Sequence, residues 1–302
     1  MKSFLFILIL LPSLALATET IEIQPEVQRL NAMTGRLAPV DVRVDLSGLP
    51  ANERQALAHL VRAARITDAL FLRQVWAGNE ALLLRLLEDT TLLGQARLKA
   101  FLIDKGPWSR LDLDAPFIPG VGEKPDAANF YPAGATKAEV EAWIAGLAPA
   151  ERANATGFFT TIRRDASGAF TTVPYSLEYQ GELAEMAQEL RAAAAATTQP
   201  TLKAFLESRA AALLSNDYYA SDVAWMKLDS SIEPTIGPYE VYEDEWFNFK
   251  AAFEAFITVR DDAETAKLTR FNSELQGLED RLPIDARYRR AKLGGMAPMR
   301  VV

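Results

Sequence analysis

The chain has no cysteine and a single histidine, His59, in 302 residues. Without cysteine there is no disulfide, no thiolate metal site and no cysteine nucleophile, so stability has to come from core burial. One histidine cannot build an ordinary catalytic zinc centre, which takes three protein ligands, mostly His. His59 lies in Asn52-Glu-Arg-Gln-Ala-Leu-Ala-His59, a helical pattern with no acid close to it in the chain. It reads as an ordinary helix residue rather than a ligand, and no serine context supports a triad through it. Phosphate-binding loops, a G-x-G-x-x-G after a strand and a G-x-S-x-G elbow are also missing. Basic charge is in deficit: 32 Lys and Arg stand against 40 Asp and Glu, for a net charge of −8. That balance lacks the basic footprint of a nucleic-acid binder.

Long apolar runs are confined to the N-terminus. Lys2, the apolar run Phe4 to Leu11 and Ala15-Leu16-Ala17 read together as a secretory signal peptide over 1–17, with cleavage after Ala17. The run is too short for a membrane span, and no cysteine is present for lipoprotein anchoring. The expectation is a periplasmic or secreted protein with no membrane attachment after cleavage; an uncleaved anchor is the alternative.

Residues 18–150 read as a helical region. Leu57, Leu60, Val61 and Ala64 recur at three and four, Leu82 to Leu87 and Leu92 to Leu102 continue the pattern, and Gly78 and Gly94 are expected breaks. A Pro- and Gly-rich loop follows at 106–135, tacked down by Trp108, Phe117, Phe130 and Tyr131. Thr136 and Glu139 form a capping box ahead of Val140, Trp143, Ile144 and Leu147.

Residues 151–302 read as a mixed region. Phe158 to Ile162 and Ala169 to Val173 flank a turn-forming centre and predict a hairpin. Ser176 to Thr197 and Thr201 to Leu214 predict helices separated at Pro200. Ile232 to Tyr242 is partly extended. Trp246 to Phe256 has the spacing of a helix, with Ile257-Thr-Val259 favouring a strand after it. Leu268, Phe271, Leu275, Leu278 and Leu282 make a heptad-like stripe ended by Pro283. The fold class is α+β, mainly α-helical, with a hairpin and short strands in the second half.

The segment from 232 to 262 sets Glu233, Glu240, Glu243, Asp244 and Glu245 among Tyr239, Tyr242, Trp246, Phe247 and Phe249. Carboxylates hold amines and ring faces attract ammonium groups, so this composition suits a peptide or a small cationic ligand. Runs of acids are more often solvated or structural. If Tyr239 to Tyr242 is a strand, Glu240 and Tyr242 point the same way.

The same segment resembles the dipeptidyl-peptidase III family (peptidase family M49), in particular its bacterial and plant branch. Asn129-Phe-Tyr-Pro132 with Thr136-Lys-Ala-Glu139, and Tyr288 to Val302, are similar to further segments of that family, so the likeness covers roughly residues 120–302. The resemblance implies the non-catalytic part of a two-lobed zinc peptidase. It also implies that Glu240 and Tyr242 bind substrate, the carboxylate taking an amine and the phenol donating a hydrogen bond. The family's His-Glu-x-x-His or His-Glu-x-x-x-His zinc motif is absent, so no catalytic or metal residue is assigned in this chain. Zinc is implied only for the full-length family.

The apolar, β-branched end at Ala297 to Val302 reads as the start of a strand. This suggests a truncated chain whose partner is a missing C-terminal catalytic half; a short docked terminal strand is the other reading. Two functions follow. One is the N-terminal portion of an exported zinc-dependent peptide hydrolase, inactive alone. The other is a stand-alone periplasmic helical binding protein for a peptide or small cation.

Overall fold

The computed structural model describes residues 24–272, 274–293 and 300–302. The expected signal peptide over 1–17 with its expected cleavage after Ala17, the Phe271 side chain and most of the terminal Ala297–Val302 run lie outside the described residues.

Helix α1 (Pro25–Thr34) precedes a long α2 (Ala51–Val75), α3 (Asn79–Glu88) and α4 (Leu92–Asp104). Gly78 caps α3 as a break, but Gly94 does not interrupt anything: it sits inside α4. The break falls at 89–91, where the Thr91 hydroxyl accepts from the Gly94 amide at 3.0 Å and starts the helix. A two-residue pairing of β1 (Trp108–Ser109) with β2 (Ala115–Pro116) is the only regular sheet in the 106–135 loop. Helix α5 (Lys137–Gly146) carries the expected Thr136–Glu139 capping box, and α6 (Pro149–Ala155) follows. Strands β3 (Thr160–Arg164) and β4 (Phe170–Pro174) form the expected hairpin, with Ile162 opposite Thr172. Then come α7 (Tyr175–Glu178), α8 (Gln180–Ala196), α9 (Pro200–Ser215, with Pro200 in its first turn) and α10 (Tyr219–Met226). Strands β5 (Ile232–Glu240) and β6 (Ala252–Val259) make an antiparallel ribbon. Helices α11 (Asp262–Asn272) and α12 (Leu275–Asp280) follow, and a short 3-10 turn spans Ala286–Tyr288. The fold is α+β and mainly helical.

The main core is built where α8 packs between α2 and α9, and the β5–β6 ribbon lies across α2. Leu60, Leu70, Leu183, Met186, Leu190, Phe205 and Phe253 are fully buried there. Burial of a side chain of that size contributes about 1.5–3 kcal/mol each, which is how the chain does without disulfides. A second cluster joins α1, α3 and α4 through Leu30, Leu82, Leu86 and Phe101.

The heptad-like stripe over 268–282 is divided between α11 and α12, and its Leu278 and Leu282 are exposed. Residues 300–302 are not a strand, although Val301 accepts from the Asp261 amide at 2.8 Å and donates to Thr265 Oγ1 at 3.0 Å.

Candidate substrate-binding site

The site is built on the β5–β6 ribbon and the turn that joins its strands. Gln74, fully buried near the end of α2, fixes the ribbon's start: its Oε1 accepts from the Phe253 amide at 2.8 Å. The loop motif Asn129 to Pro132 docks alongside. The Asn129 amide donates to the Gln74 carbonyl at 2.8 Å, and the Phe130 carbonyl accepts from Ile162 at 2.9 Å.

The turn is organised by Asp244. Its fully buried carboxylate accepts from the amides of Phe247 at 3.3 Å, Phe249 at 2.8 Å and Lys250 at 3.2 Å, and from the Tyr131 hydroxyl at 2.8 Å. These bonds override the helical spacing of Trp246 to Phe256. The chain turns through 245–250, with Asn248 at φ 56°, and becomes strand from Ala252. Lys250, also fully buried, donates to the carbonyls of Ala155 at 2.7 Å and Gly157 at 3.1 Å, and to Thr160 Oγ1 at 2.9 Å. Burial pushes its amine down to about 7, against the pull of Asp244.

Most of the acids in the segment are structural. Glu233 pairs with Arg300 at 3.2 Å, and Glu245 with Lys124 at 2.7 Å. Glu243 is buried against Arg110 at 2.7 Å, with Lys124 at 3.8 Å. Glu240 differs. It is half-buried at the end of β5, and its carboxylate has no ion pair or hydrogen bond among the described residues. The ladder is irregular between Pro238 and Glu240, so that Glu240 stands opposite Ala252 and one residue is bulged out.

Tyr242 lies two residues on. Its ring is 59 % exposed, and its hydroxyl has no protein partner among the described residues. It lines an open cavity of about 360 Å³ with Phe71, Asp68, Glu254 and Phe256. Burial raises the Tyr242 phenol pKa, and the charges of Glu240, Glu243 and Glu254 raise it further, so it stays a neutral hydrogen-bond donor. Burial, and then Glu240, also lift the Glu254 carboxyl above its ordinary 4.5. The Glu240 charge disfavours that of Glu254, a repulsion that a bound cation relieves.

The structure therefore brings Glu240 and Tyr242 into one neighbourhood and adds Glu254, Phe71 and Phe256, which the sequence reading missed. A lone acid inside the apolar run Ala252 to Val259 was the available signal for Glu254. Phe71 carried none, since it reads as helix core. A larger cavity of about 450 Å³ lies between the 124–135 loop, Trp76 and Trp246, and neither Glu240 nor Tyr242 lines it.

No group of three His, Cys, Asp or Glu side chains converges among the described residues. His59 Nδ1 lies 2.7 Å from Glu189 Oε2 and close to Arg62, a surface cluster between α2 and α8. The acid that the local sequence lacks is supplied by the fold. These donors do not fit a catalytic zinc ion.

The profile of peptidase family M49 matches residues 149–294, which include the whole ribbon and its turn. The chain is 65 % identical to dipeptidyl-peptidase III from Corallococcus sp. strain EGB, with a TM-score of 0.84 over 91 % of this chain and 51 % of that one. It is 44 % identical to the dipeptidyl-peptidase III of Caldithrix abyssi, with a TM-score of 0.84 over 89 % of this chain and 51 % of that one. Nudix hydrolase 3 of Arabidopsis thaliana is 36 % identical over 316 residues, 88 % of this chain and 41 % of the plant protein. That name describes the whole plant protein, of which less than half is matched. The chain spans about half the length of the two solved relatives. Its sequence and fold resemble those of peptidase family M49. It is dipeptidyl-peptidase III-like.

Proposed function

We propose that this chain is the N-terminal portion of an exported dipeptidyl-peptidase III-like, zinc-dependent peptide hydrolase, and that it supplies one wall of the substrate cleft. The observation that carries the reading is the unpaired, half-buried Glu240 carboxylate, whose charge is felt by Glu254 and by the free Tyr242 hydroxyl, the two residues that line the ring-walled cavity. Glu240 takes the substrate's terminal ammonium, a charge-assisted contact. Tyr242 donates to a peptide carbonyl, and Phe71 and Phe256 cover an apolar side chain. Zinc bound in a complete enzyme would polarise the scissile carbonyl and acidify a water. The described residues hold no ligand set for it, so its ligands would come from a C-terminal catalytic half, and the work proposed for these residues is binding and orientation. Export through residues 1–17 places the protein in the periplasm or outside the cell.

Calorimetry of the full chain with tetra-alanine and with N-acetyl-tetra-alanine tests the site. Only the free amine binds, and Glu240→Gln removes that binding; equal binding of both peptides, or of neither, ends the reading. N-terminal sequencing of the exported protein gives Thr18 if the leader is cleaved at Ala17, and Met1 if it is not. The closed core of α2, α8 and α9 favours a second reading, a stand-alone binding protein. Hydrolysis on adding zinc and a polypeptide with a His-Glu-x-x-His motif favours the peptidase; saturable binding with no hydrolysis favours the binder.

A further inference from the structure

The strand that carries Glu240 has a second working face. Tyr242 faces the cavity described above. Tyr239 and Val241 line a different one, of about 330 Å³, with Phe158, Tyr218 and Asp222 around it. Arg209 of α9 also lines this cavity, and its side chain is fully buried. Its guanidinium carbon stands 5.4 Å from the ring centroids of Phe205, Tyr218 and Tyr239. Nη2 donates to Asp222 at 2.5 Å, while Nε and Nη1 have no protein acceptor. A buried guanidinium with two nitrogens unpartnered is unfavourable unless something else accepts from them. Three rings cage the guanidinium and both free nitrogens are closed off from solvent, so an acceptor reaches them from the cavity that Arg209 borders only if the cage shifts. Gly237 keeps the backbone clear: at φ 152°, a Cβ there would stand 3.0 Å from Nη1.

We propose that this pocket is an anion site that takes a carboxylate carried on an apolar body. The carboxylate accepts from the free nitrogens of Arg209, and the body packs on Phe158, Tyr218 and Tyr239. With its guanidinium already paired to Asp222, the site reaches a net charge of −1 with a monoanion and −2 with a phosphate dianion, so the monoanion is the less costly guest. The ring lining selects an acid with an apolar part over a small hydrated anion. Such a carboxylate can be a free aryl acid or the C-terminal residue of a peptide. The site is independent of the role given to Glu240, which lies on the strand's other face.

The test is calorimetry of the full chain with benzoate and N-acetylphenylalanine, each against its neutral amide. Both carboxylates bind saturably and the amides do not. Tighter binding of N-acetylphenylalanine identifies a peptide C-terminus as the source; tighter benzoate identifies a free acid. Phe158 is 55 % exposed, so Phe158→Glu keeps the fold while placing a competing carboxylate at the mouth. It weakens binding by about tenfold or more, the scale of one lost charged hydrogen bond. Asp222→Asn removes the competing anion and tightens binding several-fold. Amides that bind as well as acids, carboxylates that do not saturate, or unchanged affinity in Phe158→Glu would overturn the assignment.

Discussion

The Tyr131 hydroxyl donates to the Asp244 carboxylate at 2.8 Å, joining residues 113 positions apart inside the protein. One bond thus ties the Asn129–Pro132 loop to the turn that sets Glu240 and Tyr242. The coupling is also packed: the Tyr131 ring lies 5.0 Å from Trp246 and 5.9 Å from Phe247, centroid to centroid. Burial drives the Tyr131 phenol pKa far up, with the Asp244 charge adding to it, so the proton stays on the tyrosine. Tyr131→Phe removes one donor from a buried charge and destabilises the protein by about 1.5–3 kcal/mol. Urea denaturation measures this. A loss below the error of the melt would mean that Tyr131 acts through its ring alone.

Glu53 sets the stability at low pH. It is buried near the start of α2 and accepts from Thr197 Oγ1 at 2.7 Å and from the Thr198 amide at 2.9 Å, bracing the α8–α9 turn. Burial pulls its carboxyl pKa up, but the hydrogen bonds from Thr198, Thr197 and Gln199 outweigh burial and hold it below the ordinary 4.5. A depressed folded-state pKa contributes stability that is present above the unfolded value and is lost as pH falls through the folded one. Glu53→Gln therefore lowers stability at neutral pH and flattens the acid limb below about 4.5. Melts from pH 3 to 7 check both effects; an unchanged acid limb would assign it to other carboxylates.

Gly94 opposes two effects of known size. Alanine in a helix interior gains about 1 kcal/mol over glycine. A Cβ at 94, however, would stand 2.4 Å from the Asp89 carbonyl oxygen and 2.2 Å from its Cγ. That aspartate accepts from Thr91 Oγ1 at 2.7 Å, so it is held in place. Relieving such a clash costs about 1–3 kcal/mol, and sterics win. Gly94→Ala lowers the melting temperature; a rise would show that the 89–91 turn yields freely.

Legibility followed the range of the forces involved. The Thr136–Glu139 box, Pro200 at the start of α9 and the 160–174 hairpin are local chemistry, and each is where the sequence puts it. The segment after Trp246 was misread because Phe249, Phe253 and Phe256 repeat at helical spacing, whereas Asp244 takes the amides that a helix would need. The family resemblance is what singles out Glu240 and Tyr242, and their alternate spacing fits it. That Glu243 and Glu245 are tied to Arg110 and Lys124, leaving Glu240 unpaired, depends on contacts across more than a hundred residues. No local pattern encodes those partners.

Glu254 makes the proposed amine site sensitive to pH. Its carboxyl pKa is raised by burial and then by Glu240, so it takes up a proton at a pH where an ordinary glutamate is still charged. A protonated Glu254 no longer attracts an ammonium group. The affinity for tetra-alanine therefore falls as pH drops toward the ordinary glutamate value from above, and binding the cation releases a proton in that range. Glu254→Gln removes the charge at every pH. Its affinity at pH 7 is weaker by roughly tenfold, a reasonable share for one partly buried charge at short range. The fall in affinity on acidification is then smaller than in the unaltered chain. Calorimetry in two buffers of different ionisation enthalpy reads both the affinity and the released proton. An acid limb that stays in place in Glu254→Gln would show that Glu240 alone recognises the amine.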